Sequence, residues 1–438
     1  MSVWRSARLL LFVVSAGAFA PASVFAQQAT PLSPPAACLK AAKDHLSGEV
    51  IATRISKASA PGLTDAEILD KNLAASRAAL KSAEKIAVDC AATFDLATIP
   101  PVQLVDLIPL YDYARDTVKS QLAFERMLSA DLPPRARGQS YLFAMSREIA
   151  RAGNFYGIID GAERYVTQLD LMPDSLDDMK LRAHRGMLGN YEYRDVADGL
   201  ETHSLAVIAL ARKMNKPADI LLGYAELARS FADHLQPDSA LRIASTAERE
   251  LGAPAKERFK EFRHRYALIG TRAVDISPKW WINTDAKKVS APAPGKVTLI
   301  EFTAHWCGPC KNSYPGLNGL AERYKGKDFQ GIMVTQLYGY LGVQRSLTPE
   351  QEIAADRIYY GTENGLAFPV AINPAMEQVP GEAYVQTKPD ADYRVAGIPQ
   401  IMIIDRHGII RQIVTGWDQG NTERFSKLID QLLREPVP

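Results

Sequence analysis

Cysteine is scarce in this chain. Its 438 residues hold four, Cys38, Cys90, Cys307 and Cys310. Only the last two form a Cys-x-x-Cys, and no second such pair is present to complete a four-ligand zinc site. No Gly-x-Gly-x-x-Gly opens a helix, so there is no flavin or nicotinamide fingerprint. Charge of one sign is also missing, since Lys plus Arg (51) nearly cancels Asp plus Glu (50). Without a basic stripe interleaved with aromatics, nucleic acid is not a natural partner. After the first 26 residues no run is apolar enough to span a bilayer, and no charged juxtamembrane cluster stands out. His184, His203, His234 and His264 lack metal-ligand spacing and read as surface or satisfied core histidines, so no metal is expected.

Residues 1–26 have the form of a secretory signal. Arg5 and Arg8 give a positive start, Leu9 to Phe19 a short apolar core, and Val24-Phe25-Ala26 a cleavage site ahead of Gln27. The apolar core falls short of the about 20 residues a membrane span needs, although an uncleaved anchor is the alternative. No cysteine follows closely enough to accept a lipid. The expected location is a bacterial periplasm or an equivalent oxidising space.

The strongest positive signal is the run Thr298-Leu299-Ile300-Glu301-Phe302-Thr303-Ala304-His305-Trp306-Cys307-Gly308-Pro309-Cys310. A β-branched apolar strand leads straight into a Cys-x-x-Cys that can open a helix. At a helix start, free N–H groups and the helix dipole favour a negative sulfur on the first cysteine. Cys307 is thus the expected nucleophile, as a thiolate of lowered pKa exposed at the helix start. Cys310, one turn inside, is the resolving thiol, and Pro309 stiffens the loop between them. Downstream, Gly397-Ile398-Pro399-Gln400 precedes a second apolar strand, Ile401 to Asp405.

Trp306-Cys307-Gly308-Pro309-Cys310 resembles the active-site sequence of thioredoxin. With Gly397-Ile398-Pro399 and the Ile-Asp-x-x-Gly turn ending at Gly408, the last third of the chain is similar to the TlpA/ResA branch of exported thioredoxin-like proteins. The resemblance implies a cis Ile398–Pro399 peptide facing the dithiol, with backbone there for an incoming peptide. It implies Trp306 as part of the docking surface. It also implies Glu301, at the place of a buried Asp, as proton acceptor for Cys310; the other reading is a Glu pointing to solvent. Thr303 departs from an aromatic residue. His305 precedes Trp306, and a protonated imidazole there would stabilise the thiolate.

Residues 36–270 contain almost no strand-like runs. Ala36–Ser59 and Thr64–Cys90 read as a helical hairpin broken at Pro61-Gly62. Folding it brings Cys38 within about a turn of Cys90. An exported protein would oxidise that pair, the alternative being two buried free thiols. Residues 152–156, the proline at 173, the run 188–192 and the run 236–241 resemble pieces of tetratricopeptide repeats at uneven spacing. Tyr111, Tyr113, Phe143, Phe155, Tyr165, Tyr191 and Tyr193 read as packing. The expected organisation is a signal (1–26), an all-α helical-hairpin array (36–270) and an α/β thioredoxin-like domain (273–438).

The function expected from this pattern is a periplasmic thiol–disulfide oxidoreductase that reduces protein disulfides through a mixed disulfide. It needs no cofactor beyond its own dithiol. The resemblance implies recharging by a membrane electron transporter of the DsbD/CcdA kind, and the array could bind a protein partner. The alternatives are an isomerase or oxidase dimerising through the array, and a non-catalytic assembly protein. A peroxiredoxin is disfavoured, since Ala304 stands where the Thr of its nucleophile pattern belongs.

Overall fold

The computed structural model describes residues 33–56, 58–152, 159–193, 199–284, 289–375, 387–417 and 420–436. The expected signal segment and most of the run 152–156 lie outside them. Contacts divide the chain into two compact units, Met1–Leu132 and Pro133–Pro438.

The first unit is helical: α1 (Pro34–Thr53), α2 (Asp65–Ala91), α3 (Leu104–Tyr113) and α4 (Thr117–Ser129). Thr64 and Glu67 cap α2 reciprocally, satisfying two N–H groups the first turn would leave open. Ala79, Ala83, Ala87 and Ala91 form a buried stripe at four-residue spacing, which lets α1 pack closely around Ala42. α1 stops at Thr53, short of the expected Ser59, and Asn72 bonds both backbone groups of Ile55 just beyond it. Cys38 and Cys90 are disulfide-bonded, with Cα atoms 6.1 Å apart. The bond closes a loop with a sequence separation of 52. Replacing both cysteines with Ser is expected to lower the stability of this unit by about 4 kcal/mol, the loop-closure entropy restored to the unfolded chain. Denaturant melts followed by circular dichroism would measure it, and a midpoint unchanged from wild type would refute it.

Among the described residues the second unit begins with the α-helices α5 (Pro134–Arg151), α6 (Asp160–Asp170), α7 (Asp177–Tyr193), α8 (Leu200–Lys213), α9 (Pro217–Asp233), α10 (Pro237–Leu251) and α11 (Ala253–Tyr266). Each packs on the next. Prolines in the first turn start α5, α9, α10 and α11, where the missing N–H costs nothing. The run 188–192 falls in the closing turns of α7. His184 and His203 are buried and share a hydrogen bond between their Nδ1 atoms (2.8 Å). Their outer nitrogens meet Asp170 (3.0 Å) and Glu163 (2.9 Å). Burial works against the Glu163 carboxylate, but the hydrogen bonds from His203 and Tyr191 hold its pKa below the usual range.

The sheet follows: β1 (Trp280–Ile282), β2 (Val297–Phe302), β3 (Phe329–Gln336), β6 (Val370–Asn373), β7 (Gln400–Ile404) and β8 (Ile410–Thr415), in spatial order β1-β6-β3-β2-β7-β8. A short hairpin, β4 (Tyr340–Leu341) and β5 (Gln344–Arg345), stands apart from it. β2 pairs parallel with β3 and antiparallel with β7. All six residues of β2 are buried, as its central place between β3 and β7 requires. One face packs against α12 (Gly308–Arg323) and α15 (Asn421–Arg434), through Leu317, Leu320, Phe425 and Ile429. The other carries Ile300, Phe302, Ile332 and Met402, with Leu268 and Ile269 laid against it. The helical array is thus bonded to the sheet. Tyr266 Oη donates to Ile413 O (3.1 Å), Gln412 Nε2 to Ala232 O (3.2 Å) and Gly270 N to Ile410 O (2.8 Å). For this reason the compact units divide at residue 132, well before the change of texture near residues 270–273. The architecture is a helical amino-terminal region followed by a mixed-sheet, thioredoxin-like fold.

The sequence over 349–364 predicts one helix, and the segment is helical but changes type part-way. α13 (Pro349–Asp356) leads into a π-helical stretch, Arg357–Glu363, with α14 (Lys388–Asp392) further on. The widened turn buries both Tyr359 and Tyr360.

Candidate active site

β2 delivers the chain at its carboxyl end to Cys307, the N-cap of α12. The Cys307 Sγ accepts from the N–H of Cys310 (3.2 Å), and the two sulfurs form a disulfide. Pro309 sits in the first turn, where a proline is tolerated. The Ile398–Pro399 peptide is cis, and Ile398 O lies 3.8 Å from Cys307 Sγ. Gly416 N donates to Pro399 O (2.8 Å), tying the loop to the end of β8. Sequence and structure thus bring Cys307, Cys310, Pro309, Ile398 and Pro399 together. Cys307 was expected to be exposed; in the disulfide form only 4% of its surface is, because Ala304, Tyr338 and Ile398 pack around the sulfurs. The exposed residue of the motif is Trp306, at 51%, resting edge-on against Tyr338.

Glu301 points inward from β2 and is fully buried. Its Oε1 accepts from Ser313 Oγ (2.9 Å), and that hydroxyl also reaches the carbonyl of Cys310 (2.6 Å). Its Oε2 has no hydrogen-bond partner among the described residues. Burial pushes the carboxyl up to about 8, with the Ser313 hydroxyl pulling weakly the other way. At neutral pH the group is mostly protonated and can still exchange its proton in the physiological range.

His305 differs from expectation. Its ring is buried edge-on against Tyr338, Tyr340 and Tyr359, at 5.3, 4.9 and 6.3 Å between ring centres. Burial first, and then the nearby Lys311 charge, push its pKa down to about 4. The imidazole is therefore neutral and lends no positive charge to the thiolate. Thr303 is buried, with its hydroxyl 3.4 Å from Tyr314 Oη.

The tyrosine wall was missed from the sequence. Tyr338 and Tyr340 flank Gly339, which lies at φ +72°. Glu352, also buried, accepts from the backbone N–H groups of Tyr338 and Gly339, both at 2.7 Å, and so fixes that turn. The density of tyrosine after β3 was a visible signal, but its meeting with His305 is non-local. A groove of about 750 Å³ was also missed. It opens beside Pro309, Ile398 and Pro399, and its opposite wall is made by α9 and α11. The last helices of the array therefore share a groove with Pro309 and the cis-proline loop beside the dithiol.

Residues 269–430 match the family model described as Redoxin, which is under half of the chain. The thioredoxin-like protein YneN of Bacillus subtilis is 26% identical over 147 residues, covering 34% of this chain and 71% of YneN. The thiol-disulfide oxidoreductase ResA of Geobacillus kaustophilus is 26% identical over 122 residues, covering 28% of this chain but only 56% of ResA. A thiol-disulfide isomerase structure from Corynebacterium glutamicum aligns at 26% identity and a TM-score of 0.30, covering 38% of this chain and 98% of that one. The family match lies in the carboxy-terminal part, a thioredoxin-like Redoxin domain with relatives among the thiol–disulfide oxidoreductases.

Proposed function

We propose that the protein is an exported thiol–disulfide oxidoreductase that reduces disulfides in target proteins. The observation that carries this reading is the Cys307–Cys310 disulfide at a helix start, with Ile398 O 3.8 Å from the outer sulfur and a buried, protonatable Glu301 joined through the Ser313 hydroxyl to the Cys310 carbonyl. In the reduced enzyme, the Cys307 thiolate attacks a target S–S bond. A Cys307–target disulfide forms and the first target thiolate leaves, taking a proton from solvent. Glu301, in its ionised form, then receives the Cys310 proton. The Cys310 thiolate attacks Cys307 Sγ, closing the internal disulfide and expelling the second target thiolate. The expelled thiolate takes up the proton that Glu301 received, so the target gains two electrons and two protons. The enzyme, its Cys307 already ionised, gives up two electrons and one proton, the other proton coming from solvent. The dithiol carries both electrons, so the cycle calls for no other redox group within the protein.

An outside dithiol donor must then restore the reduced enzyme, and a membrane transporter of the DsbD/CcdA kind fits that role. Export to the periplasm is supported by the form of residues 1–26 and by the Cys38–Cys90 disulfide, which persists only where thiols are oxidised. Trp306, exposed beside the sulfurs, fits a surface on which targets dock. Equilibration with glutathione buffers tests the direction of electron flow. The midpoint is expected near thioredoxin's about −270 mV, and a value near the about −120 mV of DsbA would instead make the protein an oxidase.

A further inference from the structure

On this reading, we propose that the groove between the dithiol and helix α11 seats the target polypeptide beside its reacting cysteine, and that Arg265 there selects a carboxylate.

Arg265 lies near the carboxyl end of α11 and lines the groove with Phe262, facing Pro309, Ile398 and Pro399. Its Nη1 donates to Thr415 Oγ1 (2.7 Å). Thr415 pairs in register with Gln400, the residue after the cis proline, and the next backbone N–H, of Gly416, holds Pro399 O. The guanidinium is thus anchored on the rim that carries Ile398 O to within 3.8 Å of the reactive sulfur.

Arg265 is half-buried, and among the described residues no carboxylate lies within 4.0 Å of it. Its Nε is buried with no hydrogen-bond partner. Neighbouring arginines are neutralised: Arg263 by Glu248 (2.6 Å), Arg212 by Glu250 (2.6 Å), and Arg229 by Asp233 (3.4 Å). The remaining charged groups of the groove are Glu226, which shares Arg229 with Asp233, and the exposed Arg258 and Glu261. A half-buried guanidinium with no carboxylate in contact, Glu261 one turn earlier acting on it only through space, is costly, and its forked donors match a carboxylate two at a time. A target chain seated against the cis-proline loop supplies that carboxylate. One strand spacing, from Thr415 to Gln400, and two residues of the cis-proline loop separate Arg265's anchor from Ile398. At about 3.3 Å per residue, the acid falls about three residues from the target cysteine.

The test uses the reduced full-length protein and amidated peptides, each linked by a disulfide to a small thiol. Glu, Gln or Lys stands three residues to either side of the cysteine, and one further peptide offers its free α-carboxylate at that distance. The glutamate peptide is expected to exceed the glutamine peptide by about tenfold in kcat/KM at low salt, carried by KM and shrinking as salt is raised. The free-acid peptide distinguishes a chain terminus from an acidic side chain as the source. Arg265→Gln is expected to erase the difference and Arg265→Glu to favour the lysine peptide. Equal rates for Glu and Gln with the wild-type protein, or a preference that survives in Arg265→Gln, would overturn the assignment and leave the reductase reading intact. No Cys307-dependent exchange with any peptide would sink both.

Discussion

Replacing Glu301 with Gln is expected to slow closure of the internal disulfide about 100-fold, while the first attack by Cys307 keeps its rate. General-base assistance is commonly worth that much or more, and Glu301 has the burial and the poised pKa the task needs. Stopped-flow tryptophan fluorescence with a disulfide peptide separates the two steps. In the wild-type protein the second step should speed up as pH rises towards about 8, where the carboxylate forms; in Glu301→Gln that inflection should vanish. Glu301→Asp should recover part of the rate. A purely structural role would disturb both steps alike and leave the pH profile in place.

The same group makes a thermodynamic forecast whose sign is fixed. Its carboxyl titrates near 4.5 when unfolded and near 8 when folded. Below about pH 4.5 both states are protonated and the group's contribution to stability is whole. Between 4.5 and 8 the unfolded chain releases its proton first, so stability falls as pH rises. Denaturant melts across that window should show the decline in the wild-type oxidised protein and lack that component in Glu301→Gln.

Replacing Cys310 with Ser is expected to halt the reaction after its first half. Cys307 would still open the target disulfide, but no neighbouring thiol would expel it, so a covalent enzyme–target species should accumulate on non-reducing gels. Replacing Cys307 instead should leave the protein inert, with turnover at the uncatalysed background. The pair of variants separates a working enzyme from an assembly protein, since an assembly protein would form no such adduct and would tolerate both changes.

The parts of the site legible in the sequence are those that neighbours along the chain determine. An apolar strand followed by Trp306-Cys307-Gly308-Pro309-Cys310 already places Cys307 at a helix start, because strand, turn and helix signals follow one another without a gap. Glu301, between Ile300 and Phe302, could be read as buried once that strand was taken as central. His305 could not be read in this way. Its neutrality is set by tyrosines 33, 35 and 54 residues further on, which meet it only after β3, the hairpin and the π-helical turn have folded. The π-helical turn itself leaves no mark in apolar spacing, so the segment 349–364 looked like a single helix. Arg265 looked like one more charge on a helix, because its neighbours Thr415 and Pro399 lie far along the chain.

β8 ends the sheet, and its outer side is not bare. Gly270 N and Thr271 O bond to Ile410, Ala273 N bonds to Gly408 O, and Arg272 bridges to Ile409. The linker after α11 is a selvedge that finishes the fabric of the sheet. A fragment cut to begin at residue 273 would leave most of this unfinished, baring peptide groups and the apolar patch that Leu268 and Ile269 cover. Such a hem invites a second molecule to stitch itself on. The segment after α11 thus closes the edge that β8 would otherwise leave open.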